Sequence, residues 1–397
     1  MSFLVYPTIK EIPIRGLSGM GGGIYLAGQK SGSGGLAANE IVIVSLVEAA
    51  GAPSPAGTYT SGQTIQIRGR NQSLTSLYNP SEYQHNATDG YIRVGQGTQL
   101  TCKAWGGAGG SGNSSFQGYG GSGQYAAAQF TFSSATTLYY MVGAGGGTSQ
   151  PSNENSSGGW GGGGSQGLED EPTFNSGGPS IGRPGTPWGA GGDIDDEACG
   201  RGALGGGGGG LVGLFWVAGD DESTASNSDV NQSSATGQNK RLMVSAGGGG
   251  YGGYSPGMPG RGGGSGSLNT SATSTAVGAS YGDGQAGLIG AGGAGFQRGG
   301  GGGAGLYGGA GGQDQYYGDH PNNGATETAG GGGYGSVTLG TSVTGVSVGS
   351  ETLASSPAAG NGTVILSGAS GYIGNQGNCT STSQIAGNGG LLYIVVG

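Results

Sequence analysis

Glycine recurs at every third position through several stretches of this chain. Gly299, Gly302, Gly305, Gly308 and Gly311 mark the repeat within RGGGGGAGLYGGAGG, residues 298–312, and Gly257, Gly260 and Gly263 mark it again. Shorter series run through Gly158, Gly161, Gly164 and Gly167, through Gly106, Gly109 and Gly112, and through Gly202, Gly205 and Gly208. Three residues per turn is the polyproline II repeat, with a rise of about 3.1 Å and no internal hydrogen bonds. A face lined by glycine lets a second backbone approach to contact, and the buried N–H and C=O groups must then pair between neighbours. The spacing predicts a bundle of short polyglycine II helices, in which 299–311 would run roughly 37 Å. A helix surrounded by others needs glycine on every face, as in GGGGGG, 205–210. Collagen is excluded, because the repeat breaks after a few turns and 14 prolines are too few. The other arrangement open to such tracts is irregular glycine-rich loops on a sandwich.

Between the tracts lie short apolar alternations with β-branched or aromatic residues, the pattern of a half-buried pleat. They predict strands at 41–47, 64–69, 91–95, 98–106, 125–133, 137–143, 211–219, 241–247, 336–340, 343–349, 363–368 and 391–397. No glycine-free window has helical periodicity. The expected fold is all-β: sandwich or jelly-roll-like strands with the polyglycine II bundle and almost no α-helix. The near-continuous apolar runs GLFWVAG and LLYIVVG read as strands buried on both faces. Glycine density divides the chain into an attachment segment at 1–35, a small β domain at 36–95 and a glycine-rich domain at 96–397.

Charge removes several functions. With 13 Lys and Arg against 22 Asp and Glu, the chain carries a formal net charge of −9. Such a chain is a poor partner for phosphate backbones, so no nucleic-acid partner is expected. Cys102, Cys199 and Cys379 are widely spaced, form no CxxC pair, and read as free buried thiols. The opening MSFLVYPTIKEIPIRG lacks a basic start followed by an apolar core, so no signal peptide is expected, and no apolar run reaches the length of a membrane span.

Few residues offer chemistry. A Ser-His-Asp arrangement would have to use His85 or His320, and Asp319 beside His320 reads as a polar turn. Asp193, Asp195, Asp196 and Glu197 offer carboxylate oxygens but lack EF-hand spacing, so a solvated acidic loop is expected rather than a metal site. No phosphate-loop motif is present. No catalytic residue, metal or cofactor is therefore expected, and the chain reads as a non-enzyme. Tyrosine and tryptophan in loops between the tracts are better candidates, because they give rigid amphipathic contact at low entropic cost. Tyr316, Tyr317, Asp319 and His320 in YYGDH form the first candidate contact loop, and Trp188 in RPGTPWG the second. Trp160, Tyr251, Tyr254 and Tyr281 share such settings, where packing against the glycine bundle is the alternative role.

Several strands run straight into glycine: TQLTCKAWGGAGGSG, TTLYYMVGAGGGTS, RLMVSAGGGGYGG, and the closing GNGGLLYIVVG. This succession resembles the glycine-rich domain of phage tail-fibre proteins and of the anaplastic lymphoma kinase class of receptors, over about residues 96–397. In the tail-fibre-tip adhesins of T-even-type phages, a sandwich of polyglycine II helices presents distal loops to a host receptor. The resemblance implies a virion protein, a tail fibre or receptor-binding adhesin, made in the host cytoplasm and exposed on the particle. Its partners would be a host surface glycan or outer-membrane protein, and other virion proteins through the N-terminal region; trimeric assembly fits fibres in general. A capsid decoration or fibre subunit, and a polysaccharide depolymerase, are the other functions such a chain could serve.

Overall fold

The computed structural model describes residues 35–47, 56–68, 88–110, 120–147, 158–159, 161–163, 206–217, 239–252, 267–268, 292–293, 295, 299–312, 330–349, 387 and 389–397. Among them there is no α-helix. The strands are β1 (Glu40–Val47), β2 (Gly57–Thr60), β3 (Thr64–Arg68), β4 (Thr88–Val94), β5 (Gln99–Trp105), β6 (Tyr125–Phe132), β7 (Thr136–Val142), β8 (Val212–Val217), β9 (Arg241–Ser245), β10 (Ser267–Leu268), β11 (Tyr334–Gly335), β12 (Val346–Gly349) and β13 (Leu391–Val396).

Two antiparallel sheets carry the fold. The first has the order β2-β1-β4-β7-β8-β9, the second β12-β6-β5-β13-β3. Strands from both sides of residue 95 share each sheet: β4 pairs with β7, and β3 with β13. The described strands of 36–95 thus form no sheet of their own. The alternation in each strand sends one set of side chains into a common core. Ile41, Ile43, Ile92, Leu138, Tyr140 and Leu214 come from the first sheet, and Leu100, Cys102, Phe130, Phe132, Leu392 and Ile394 from the second. Burial of each large apolar side chain contributes about 1.5–3 kcal/mol.

The outer face of the first sheet is covered too. Tyr91, Tyr139, Met141, Phe215 and Val217 pack there with Ala304 and Leu306. β8 is therefore buried on both faces, as GLFWVAG predicts. β13 is not: Leu392 and Ile394 enter the core, but Tyr393 and Val395 on the outer side are only half-buried. The predicted strand at 336–340 is reduced to one bridge, Ser336 to Val244. Its continuation is diverted because Arg241 Nε donates to the Thr338 carbonyl in place of a ladder bond. The strand expected from residue 343 begins at Val346, after Gly345 turns the chain at φ 70°. The strand expected at 363–368 lies outside the described residues.

At one end of the sandwich, strands of both sheets continue as glycine tracts. β5 leads into 106–110, β7 into 143–147 and β9 into 246–251, while 120–124, 206–211 and 389–390 lead into β6, β8 and β13. The tracts bond to one another by steps of three residues, not the two of a β-ladder. Gly107 and Gly110 donate to Gly210 and Gly207, Gly210 and Gly207 donate to Ala144 and Gly147, and Gly206 and Gly209 donate to Tyr251 and Gly248. Gly301 and Ala304 donate in parallel sense to Gly206 and Gly209. Bonds across the gap between sheets, such as Gly121 to Gly249 and Gly390 to Gly143, weld the two layers together where side chains run out.

Glycine is required here by space. A Cβ on Gly247 or Gly250 would strike the backbone of the 206–209 tract, one on Gly248 would strike Gly121, and one on Gly249 would strike Gly330. Each face of this tract thus meets another backbone. Outside a few turns the described glycines do not have positive φ. One expectation is corrected. The stretch 299–311 does not run on in one direction: Gly309 and Gly312 donate back to Gly303 and Gly300, so the chain reverses around Leu306 and Tyr307. Leu306 is anchored in the outer core and Tyr307 bridges Tyr334, which fixes the reversal.

Candidate functional site

The tracts give the molecule two unlike ends. At their far end, Gly110 bonds beside Gly207 and Tyr251, Gly147 beside Gly207, and Gly312 beside Gly300. The chain leaves the described lattice there and returns there: after 110 and back at 120, after 147 and back at 158, after 163 and back at 206, after 312 and back at 330. At the opposite end of the sandwich, short turns close β2–β3, β4–β5 and β6–β7, and residues 218–238 join β8 to β9 there. Gly97 donates to Phe132, Gly62 donates to Val396, and Ser133 donates to Gly345. Residues 35–40 run into β1 at that end, where Gly95 donates to the Glu40 carbonyl. Gly397 also lies there, beside Gln99.

Tyr316, Tyr317, Asp319, His320 and Trp188 all lie outside the described residues, as do Gly257, Gly260 and Gly263. Their flanks are informative. The segment with YYGDH is held between Gly312 and Gly330, and the segment with Trp188 between Gly163 and Gly206. Gly330 donates to Gly250 and Gly206 donates to Tyr251, so the described residue that follows each segment lies at the same far end. Of the scaffold glycines, Gly302 bonds to Gly293, while Gly305 lies at the reversal against Tyr334. Tyr251 is 1% exposed and its backbone is part of the lattice, so it packs the bundle. Cys102 is free and buried in the core; Cys199 and Cys379 lie outside the described residues.

The seam between strands and tracts is held by side chains. Gln124 Oε1 accepts the Ala246 N–H at 3.0 Å, and the Ser245 hydroxyl donates to the Gln124 carbonyl. Arg241 is buried, and burial pushes its guanidinium below its ordinary value, with Tyr307 opposing the shift. Lys240 Nζ lies 6.0 Å from the Trp216 ring centroid, and burial lowers it as well.

The outward side of the second sheet holds a group that reading the strands for their core missed. Trp105 and Tyr125 are cross-strand partners with ring centroids 4.8 Å apart. Tyr393 lies opposite Lys103, whose Nζ is 5.9 Å from the ring centroid. Gln99, Thr101, Gln129 and Thr131 continue this face, and Gln129 Nε2 donates to Thr101 Oγ1 at 3.3 Å. The signal was present in QLTCKAW, whose odd positions are polar or aromatic while Leu100, Cys102 and Ala104 fill the core. Among the described residues no three His, Cys, Asp or Glu side chains converge on a point. No family model and no curated protein matches the sequence.

Proposed function

We propose that this is a bacteriophage virion protein, a tail fibre or receptor-binding adhesin that displays loops to a receptor on the host cell. The observation that carries the reading is polarity. Four segments leave and rejoin the described body at or near the far end of the glycine tracts, while the N-terminal segment and residues 218–238 join it at the opposite end. Attachment to other virion proteins through the N-terminal region and contact through the distal segments fit those two ends. The three-residue bonding step and the scarcity of positive φ support polyglycine II helices as the scaffold. A scaffold of packed backbone, with no long side chains to rearrange, holds variable loops in fixed relation. The receptor is a surface glycan or an outer-membrane protein, and fibre assembly would make the particle form a trimer.

Labelled full-length protein incubated with a panel of bacterial cells tests this, with the double variant Tyr316→Ala/Tyr317→Ala beside it. Saturable binding to a subset of strains, reduced in the variant, is expected. Binding unchanged in the variant would refute YYGDH as the contact loop. Absence of binding by folded protein to any strain in the phage's host range would overturn the adhesin reading in favour of a structural subunit.

A further inference from the structure

We propose that the outward face of the second sheet is a binding surface for an anionic saccharide chain, separate from the distal segments. In register, this face reads Tyr125–Trp105–Leu391, then Ala127–Lys103–Tyr393–Gln66, then Gln129–Thr101–Val395–Thr64, then Thr131–Gln99. Tyr125, Lys103, Tyr393, Gln129 and Thr101 are half-buried, in contrast to the covered outer face of the first sheet.

Three features select the ligand. First, the aromatic rings lie along the apolar end of a flat pleated surface. Tyr125 and Tyr393, both half-buried, are two strand spacings apart, about 10 Å across the sheet, and the fully buried Trp105 packs between them as support. Such rings present an apolar body to the C–H face of a sugar and a polar tip to its hydroxyls. Second, the neighbouring positions are glutamine and threonine, side chains that both donate and accept. These suit a ligand dense in hydroxyls and suit an apolar protein surface poorly. Third, the charge is one-sided. The five strands of this sheet hold Lys103 and Arg68 and no Asp or Glu, within a chain that has 22 acidic residues against 13 basic ones. A carboxylate or phosphate on the saccharide meets Lys103 without a repelling acid on the same sheet.

The test is a titration of the full-length protein with oligogalacturonate, with dextran as the neutral control. Oligogalacturonate is expected to bind and to weaken with added salt. Tyr393→Ala is expected to weaken binding about tenfold, the loss of one stacked ring, while Tyr393→Phe retains most of it. Gln129→Glu keeps the shape of the side chain, adds a like charge to the face, and should weaken oligogalacturonate binding without changing the unfolding midpoint. Loss of binding in Tyr393→Ala and Gln129→Glu with midpoints at the parent value supports the site. Absence of oligogalacturonate binding by the parent, equal binding of dextran, or unchanged affinity in both variants overturns it. The cell-binding assay reads the distal segments and this titration reads the sheet face, so either proposal can fail alone.

Discussion

Gly330 and Gly331 are neighbours in one tract, and the structure assigns them opposite tolerances. A Cβ on Gly330 would fall against the Gly301 carbonyl oxygen, closer than 3.0 Å, a separation real Cβ atoms essentially never show. That oxygen cannot give way cheaply. It accepts the Gly250 N–H, and the Gly301 N–H is held by Gly206. Overpacking costs about 1–3 kcal/mol even where side chains can adjust. Here the displacement also breaks a buried bond, and each unsatisfied group adds about 1–3 kcal/mol. Gly330→Ala should therefore destabilise by about 3 kcal/mol or more. A Cβ on Gly331 would have its nearest neighbour at 3.4 Å, an ordinary contact, and the residue has no positive φ. Alanine there lowers the entropy of the unfolded chain, which is worth about 0.4–1 kcal/mol in favour of folding. The gap between the two variants is then about 3–4 kcal/mol, more than a hundredfold in an opening equilibrium. Amide exchange at Gly250, with the denaturant midpoint of each variant, measures it. Equal shifts in the two variants, or a larger loss in Gly331→Ala, would refute backbone-to-backbone packing as the reason for the glycines.

Gln124→Leu leaves the buried Ala246 N–H without its acceptor, and should lower stability by about 1–3 kcal/mol and speed exchange of that amide. Cys102 is sealed in the core between the sheets, so its thiol should be unreactive to a thiol reagent in native protein and should react at the rate of unfolding; fast native labelling of Cys102, followed by peptide mapping, would contradict the packing.

How much of this was legible depends on whether position or direction was being read. Alternation located nearly all the longer strands, because Ile41, Phe130 and Leu392 must each face one core whatever their partners are. β2, GTYT, was missed because it is four residues long and flanked by turn residues. The near-continuous apolar run of β13 suggested burial on both sides, but Tyr393 and Val395 form a half-buried outer face, which an apolar count cannot distinguish from a core. The period of three in glycine did not single out which residues meet a neighbouring backbone, because glycines between its positions meet one too. Gly106 and Gly109 face one tract, 246–249, and Gly107 and Gly110 face another, 144–147. It could not report where a tract reverses, since Gly305 and Gly308 keep the count of three through the turn at Leu306 and Tyr307. The segments with YYGDH and Trp188 carry no periodic burial signal, so the sequence marks their residue types and the lattice marks only where they are anchored.

The glycine lattice is a dependent structure. Fixing each backbone costs about 1–2 kcal/mol of entropy, and glycine is at the expensive end. A backbone hydrogen bond returns about 0.5–1.5 kcal/mol net, and the tracts have almost no side chains to bury. Isolated tracts would therefore remain open chains. What changes the balance is that the six tracts flanking the strands are covalent continuations of β5, β6, β7, β8, β9 and β13. The sandwich core sets the direction, spacing and register of those strands, and the tracts inherit them. Tract 299–304 lacks such a strand and is secured differently, by Ala304 and Leu306 packing on the outer face of the first sheet. The second core is thus a clamp for a tract that no strand supplies. It follows that apolar losses at Phe215 or Leu306, on the outer face of the first sheet, should loosen the Gly301–Gly206 bond at the distal end of the tracts.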